Sequence, residues 1–136
     1  MDHDEPGAMS AYAYALAVRT DWDAIRKQRQ KNESVLTSIL KPHVKIISGE
    51  YSSLYVPFLL RNRDEIQRKL SSEGIFNTII WPLPENQKEV CGTTRFTEEN
   101  MLAAPCDQRY TESDMCYIGQ EMIRVIQEMT DHHTQR

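Results

Sequence analysis

The sequence predicts an α+β fold, a small antiparallel or mixed β-sheet packed against helices, and three observations carry that prediction. Two helical stretches open the chain, at residues 10–18 and again after Asp21. Short runs rich in β-branched and aromatic residues follow, interrupted by one helical pattern. A long amphipathic stretch closes the chain after Thr111. The expected order α, α, β, β, α, β, β, α reads as a small α+β sandwich.

Residues 1 to 8 are expected to form a flexible lead-in, with Pro6 and Gly7 as breakers. In "SAYAYALAV" the alternation of alanine with larger residues imitates a strand, but the alanines favour a helix. Asp21 can cap the second helix, whose apolar positions are Trp22, Ile25, Val35, Leu36, Ile39 and Leu40, and Lys41-Pro42 ends it. "HVKII" (43–47) and "SLYVPFLL" (53–60) are predicted strands with a turn near Gly49. Pro57 has no N–H for a ladder, so the second strand is expected at an edge or with a bulge. Asn62 and Glu65 have the spacing of a capping box for a helix over 63–73, with Ile66 and Leu70 inward and Gly74 as its left-handed stop.

"IFNTIIW" (75–81) is expected as a third strand, ended by Pro82 and Pro84. A polar loop is predicted to about residue 98, then a short strand in "NMLAAP" (100–105). Thr111 with Asp114 opens the last helix, whose buried face is Met115, Ile118, Met122, Val125 or Ile126, and Met129. The tail from 131 to 136 is expected to fray. No internal repeat is visible.

With 136 residues, 40% of them hydrophobic and 26% charged, the chain suits one soluble domain with its own core. A net charge of −4 gives no general pull towards nucleic acid or an anionic membrane surface. Arg26, Lys27, Arg29 and Lys31 cluster on one predicted helix and read as a solvated face. No apolar run approaches the roughly 18 residues that a membrane span requires. The start "MDHDEPGA" lacks a signal-peptide pattern, and three cysteines without CxxC spacing fit a reduced, cytoplasmic setting. The Asn32-Glu33-Ser34 sequon falls in a predicted helix and is discarded as a glycosylation site.

The stretch "APCDQRYTESDM" (104–115) concentrates the chemistry. A helix start can lower a thiol pKa, but a nucleophilic Cys106 needs a histidine base, and His43 is the only one in the expected folded body. A buried structural thiol is the preferred reading. Asp107 and Arg109 either bind a carboxylate or phosphate through the planar guanidinium fork or brace the turn as a local ion pair; bracing is preferred. Trp81 before Pro82 can offer a ligand an aromatic surface, or pack at the rim of the core. His132-His133, adjacent on a tail, makes a poor metal site. No Walker loop, dinucleotide fingerprint, zinc-ligand set or nucleophile elbow is present.

Read together, three segments resemble a known family. "YVPFLLRNRDEIQRKLSSEGIFNTIIWPLP" contains Arg63, Leu70, Gly74, Ile75, Trp81 and Pro82 in the order of an "R..l...L...GI" run followed by a strand ending in "WP". "NMLAAPCDQRYTESDMCYIGQEMIRVI" supplies Leu102, Pro105, Cys106, Arg109, Tyr110, Asp114, Met115 and Ile118 in a "lsLPc..rY" pattern with an acidic helix start. "MSAYAYALAVRTDWDAIRKQRQKN" adds Ser10, Leu16, Asp21, Ile25, Arg29 and Asn32. Over residues 9 to 130 the chain is similar to the C-terminal small domain of the DegT/DnrJ/StrS-type sugar aminotransferases, fold type I enzymes dependent on pyridoxal phosphate.

The resemblance implies a part of an amino-transferring enzyme acting on a sugar or related keto substrate. In that family a larger N-terminal domain supplies the Schiff-base lysine, the acidic partner of the pyridine nitrogen and most phosphate contacts. None of Lys27, Lys31, Lys41, Lys45, Lys69 and Lys88 stands in the lysine-bearing context. The chain alone is therefore expected to bind no cofactor, to hold no catalytic residue and to be inactive. Its implied partner is the cofactor domain, or a second copy in a homodimer, meeting the apolar "AYAYALAV". Trp81, Pro82, Asp107, Arg109 and Tyr110 are the residues expected to face the substrate cleft. The alternative is a stand-alone module that kept the fold and binds a small anion or a protein.

Overall fold

The computed structural model describes residues 8–47, 54–80, 82–83 and 91–134, the last four through their backbone alone. Residues 1–7 of the lead-in with His3, the turn at Gly49, Trp81 and Lys88 lie outside the described residues, as do the side chains of His132 and His133.

Helix α1 (Ala11–Arg19) begins at Ser10, whose hydroxyl accepts the Ala13 N–H at 3.2 Å. Asp21 caps α2 (Trp22–Leu40) as expected, its Oδ1 accepting the Ala24 N–H at 2.9 Å. Leu36 and Leu40 are fully buried, but Trp22 is 61% exposed. Its indole N–H donates to the Ala17 carbonyl at 2.9 Å, so the ring belongs to the α1–α2 corner and not to the core.

Strands β1 (Lys45–Ile46), β2 (Tyr55–Leu59) and β3 (Met101–Pro105) form one antiparallel sheet in the order β1-β2-β3. The strand carrying Pro57 is thus central, against expectation. The Pro57 carbonyl accepts the Ile47 N–H at 2.9 Å, so the ring nitrogen faces the same flank. The donor it lacks would pair with Ile47, just past the end of β1 at Ile46. Proline is accommodated because its neighbour on that side is so short.

The strand expected over 75–81 is reduced to one bridge, between Thr78 and Ala103. The backbone around it is committed elsewhere. The Ile75 N–H donates to the Leu70 carbonyl at 2.9 Å, and the Asn77 carbonyl accepts Gln67 Nε2 at 3.0 Å. On the β3 side Pro105 has no N–H, and the Met101 N–H is spent on the Thr97 carbonyl. The ladder therefore stops after one residue pair.

Helix α3 (Arg63–Ser72) buries Ile66 and Leu70 as expected, and Gly74 ends it at φ 81°. The capping box expected at its start is not formed. Asn62 sits in the left-handed region (φ 57°) without a side-chain cap, and only its carbonyl receives the Glu65 and Ile66 N–H groups, both at 3.1 Å. Where a polar loop was expected, α4 (Gly92–Asn100) is helical. It buries none of its residues and is tied down at its end, where the buried Arg63 guanidinium donates to the Glu98 carbonyl. Its helical signal in the sequence is weak because α4 is held from α3 and β3, not by its own apolar face.

The last helix, α5 (Glu112–Thr134), opens with the expected box: the Thr111 N–H donates to Asp114 Oδ2 at 2.8 Å, and the Asp114 N–H to Thr111 Oγ1 at 3.2 Å. It lies along α2, and a Cβ on Gly119 would stand 2.9 Å from Ile39 Cγ2. Two layers result. Val56, Phe58, Leu102 and Ala104 of the sheet pack on Leu36, Leu40, Ile66, Leu70, Met115, Met122 and Val125 of α2, α3 and α5. Among the described residues no helix is long and apolar enough to cross a membrane.

Candidate functional site

β3 ends at Pro105 and delivers residues 106–110 to the start of α5. Cys106 goes inward: it is fully buried in the core and its N–H donates to the Leu54 carbonyl at 2.9 Å. His43 is exposed beyond the start of β1, where Lys45 lies opposite Leu59 and Leu59 opposite Met101, the far end of the sheet from Cys106. The structural reading of Cys106 holds. Cys91 and Cys116 are the exposed thiols, and Cys91 is lowered from its ordinary pKa by a hydrogen bond with the Thr94 hydroxyl at 3.1 Å and by backbone N–H groups at the start of α4.

Asp107 and Arg109 form the bracing pair. Arg109 Nε donates to Asp107 Oδ1 and Nη2 to Oδ2, each at 2.8 Å, and the Arg109 N–H adds a third bond to Oδ1 at 2.9 Å. The Asp107 side chain is 8% exposed and that of Arg109 75% exposed, so a buried carboxylate is neutralised from the solvent side. The Arg109 hydrogen bonds hold Asp107 below the usual carboxylate range against the opposing effect of burial, and Asp107 in turn raises Arg109. Such a carboxylate, ionised and with both oxygens engaged, is a poor proton acceptor at neutral pH. The half-buried Tyr110 lies beneath the guanidinium, 6.0 Å from carbon to ring centre.

The turn has a second brace that sequence reasoning missed. Asn32 is fully buried on α2, and its Nδ2 donates to the Asp107 carbonyl at 2.8 Å and the Tyr110 carbonyl at 2.9 Å. Gln28 Nε2 donates to Asn32 Oδ1 at 3.0 Å, and Arg29 Nε to Gln108 Oε1 at 2.7 Å. A signal existed: Asn32, Leu36 and Leu40 stand four residues apart on one stripe, so a polar residue in register with buried leucines should itself be buried. Burial also agrees with discarding the sequon.

Of the expected cleft residues, the structure brings Asp107, Arg109 and Tyr110 together. Pro82 is exposed and does not join them. The bridge at Thr78 is antiparallel, so the backbone leaving Thr78 sets out towards the Met101 end of β3, whereas Asp107 lies past the Pro105 end. Trp81 lies outside the described residues.

The described residues do not fit pyridoxal phosphate as a covalent cofactor. Lys27, Lys31, Lys41, Lys45 and Lys69 are all exposed, whereas a Schiff-base lysine needs a desolvated or cationic pocket to lower its pKa. Among the described residues no cluster of histidine, cysteine, aspartate and glutamate is suited to a metal ion.

No protein-family model and no curated protein matches the sequence. Solved structures do match the fold. The aminotransferase TlmJ from Streptoalloteichus hindustanus aligns over 85% of this chain and 35% of its own, with a TM-score of 0.74 and 15% identity. A DegT DnrJ EryC1 StrS aminotransferase from Brucella abortus aligns over 87% of this chain and 33% of its own, with a TM-score of 0.65 and 17% identity. The GDP-4-keto-6-deoxy-D-mannose-3-dehydratase of E. coli, solved with bound hydrated PLP, aligns over 76% and 31%, with a TM-score of 0.62 and 16% identity. The chain spans about a third of the length of the structures it matches. Its structural neighbours are thus DegT/DnrJ/EryC1/StrS-type aminotransferases, and it has the α+β fold of one part of such an enzyme.

Proposed function

We propose that this chain is the C-terminal small domain of a DegT-type, pyridoxal-phosphate-dependent aminotransferase acting on a sugar or related keto substrate. It is inactive alone, because the cofactor domain must come from elsewhere. The observation that carries this reading is the match over most of this chain to only a third of each neighbour. The exposed lysines support the need for a separate cofactor domain. Helix α1 supports the need for a partner: Tyr12, Tyr14, Leu16 and Val18 are each at least half exposed, and the helix buries none of its residues. A helix apolar on several sides is ordinarily covered. Its cover in this reading is the cofactor domain, with a second copy in a homodimer as the substitute. The free thiols of Cys91, Cys106 and Cys116 support a reducing, cytoplasmic setting.

In this reading the 107–110 turn faces the substrate cleft, offering the outer side of Arg109 as a fixed cation whose geometry is set in advance by Asp107 and Asn32. An immunoblot of the native source with antibody to this domain tests the reading. The expected band is far heavier than 15.8 kDa, or a 15.8 kDa band that migrates with a cofactor-domain protein in a native gel. A 15.8 kDa band without such a partner would overturn it and leave the stand-alone binding module.

A further inference from the structure

At the end of the sheet remote from the 107–110 turn, a groove of about 570 Å³ opens between the start of β1, the β2–α3 junction and the last turns of α5. That volume lies within the ordinary range for small-molecule sites. The chain forms the groove because Asn62, in its left-handed conformation, turns sharply from β2 into α3, leaving Leu60 and Ile66 as one wall. Ile126 and Met129 of α5 form the other wall, and His43, Lys45 and Arg61 stand at the rim.

The charge pattern is the informative part. The protein is acidic, at net −4, yet no carboxylate is among the described residues lining the groove. Several other cations are paired: Arg26 with Asp23, Lys31 with Glu112, Lys69 with Glu73, and Arg124 with Glu73, Glu121 and Glu128. The side chains of His43, Lys45 and Arg61 have no ion pair or hydrogen bond with any described residue. Two unpaired permanent cations over an apolar trough form a local positive potential on a negative molecule.

We infer that this groove binds a small amphiphilic anion, with a phosphate or carboxylate head between Lys45 and Arg61 and an apolar body against Ile66, Ile126 and Met129. Arg61 offers the head a planar fork and Lys45 a point charge. The site stands apart from the 107–110 turn and does not rest on the aminotransferase reading, since all its walls belong to this chain.

The test is an amide NMR titration of the chain with 8-anilinonaphthalene-1-sulfonate, a probe that joins an anionic head to an apolar body. Perturbations should centre on Val44, Lys45, Leu60 to Asn62 and Thr130. The double variant Lys45→Glu, Arg61→Glu should bind at least about tenfold more weakly while keeping its amide spectrum away from the groove. Rising salt should weaken wild-type binding. Octanoate should displace the probe, and inorganic phosphate at the same concentration should not. Perturbations centred on α1, or unchanged affinity in the double variant, would overturn the site. Displacement by phosphate as effective as by octanoate would overturn the apolar half of the proposal.

Discussion

Helix α1 and the 107–110 turn are opposite solutions to the same problem. The turn carries a buried carboxylate and two inward carbonyls, and the chain satisfies all of them itself, through Arg109 and Asn32. Helix α1 carries tyrosines, leucine and valine, and the chain leaves each of them at least half exposed. Polar groups out of water must be paired inside the fold or the fold fails. Exposed apolar groups cost only association, so they can wait for a partner. The contrast separates what this chain must satisfy in order to fold from what it can leave exposed.

The hardest test of that contrast is Asn32→Ala. It removes the buried donor that the Asp107 and Tyr110 carbonyls share, leaving them only the Tyr110 N–H and Gln28 Nε2, each at 3.2 Å, and a loss of about 1–3 kcal/mol is expected in urea unfolding. A loss below about 0.5 kcal/mol, the range of an ordinary surface change, would mean that water replaces the amide and the brace is not structural. Asp107→Asn comes next, at about 1–2 kcal/mol, because charge-assisted bonds to Arg109 are lost while the arginine itself stays solvated.

Its pH dependence has a definite sign. The folded pKa of Asp107 is depressed, so its stabilisation is complete above the unfolded carboxylate value of about 3.9 and drains away as pH falls through the folded value. Wild type should therefore lose stability below about pH 4 more steeply than Asp107→Asn, as read from unfolding midpoints across pH.

Gly119→Ala probes the seam between α2 and α5. The β-branched Ile39 methyl 2.9 Å away cannot swing clear as a flexible chain end would, so overpacking of about 1–3 kcal/mol should exceed the roughly 1 kcal/mol gained in helix propensity. A net gain in thermal midpoint would show that the helices can part. Least on stability, within about 0.5 kcal/mol, is Leu16→Ser with Val18→Ser on α1. These changes should instead abolish concentration-dependent association in light scattering, and a clear loss of stability would show that α1 belongs to the core after all. Iodoacetamide sharpens the picture without changing the fold: Cys91 should label faster than a free thiol at neutral pH, and Cys106 only on unfolding.

Legibility in the sequence follows the range of the interactions. Asp21, the Thr111–Asp114 box, Gly74 and the inward faces of α3 and α5 were readable because each depends on residues within a turn or two of itself. Of the candidate site, the Asp107–Arg109 pair was readable on the same ground, two residues apart. For Asn32 only burial could be read, from its stripe with Leu36 and Leu40, and not its partners, which stand 75 and 78 positions away. Nor was α4 readable, anchored as it is by Arg63 and by the start of β3.

By itself the sequence determined the fold class, most helix limits and the pairing inside the turn, because capping, periodicity and short ion pairs are local chemistry. Tertiary structure alone decided that Pro57 could stand in a central strand, that Thr78 would contribute one bridge in place of a strand, and that residues 92–100 would be helical. Each of these depends on which backbone donors and apolar faces remain free after the distant parts of the chain have paired.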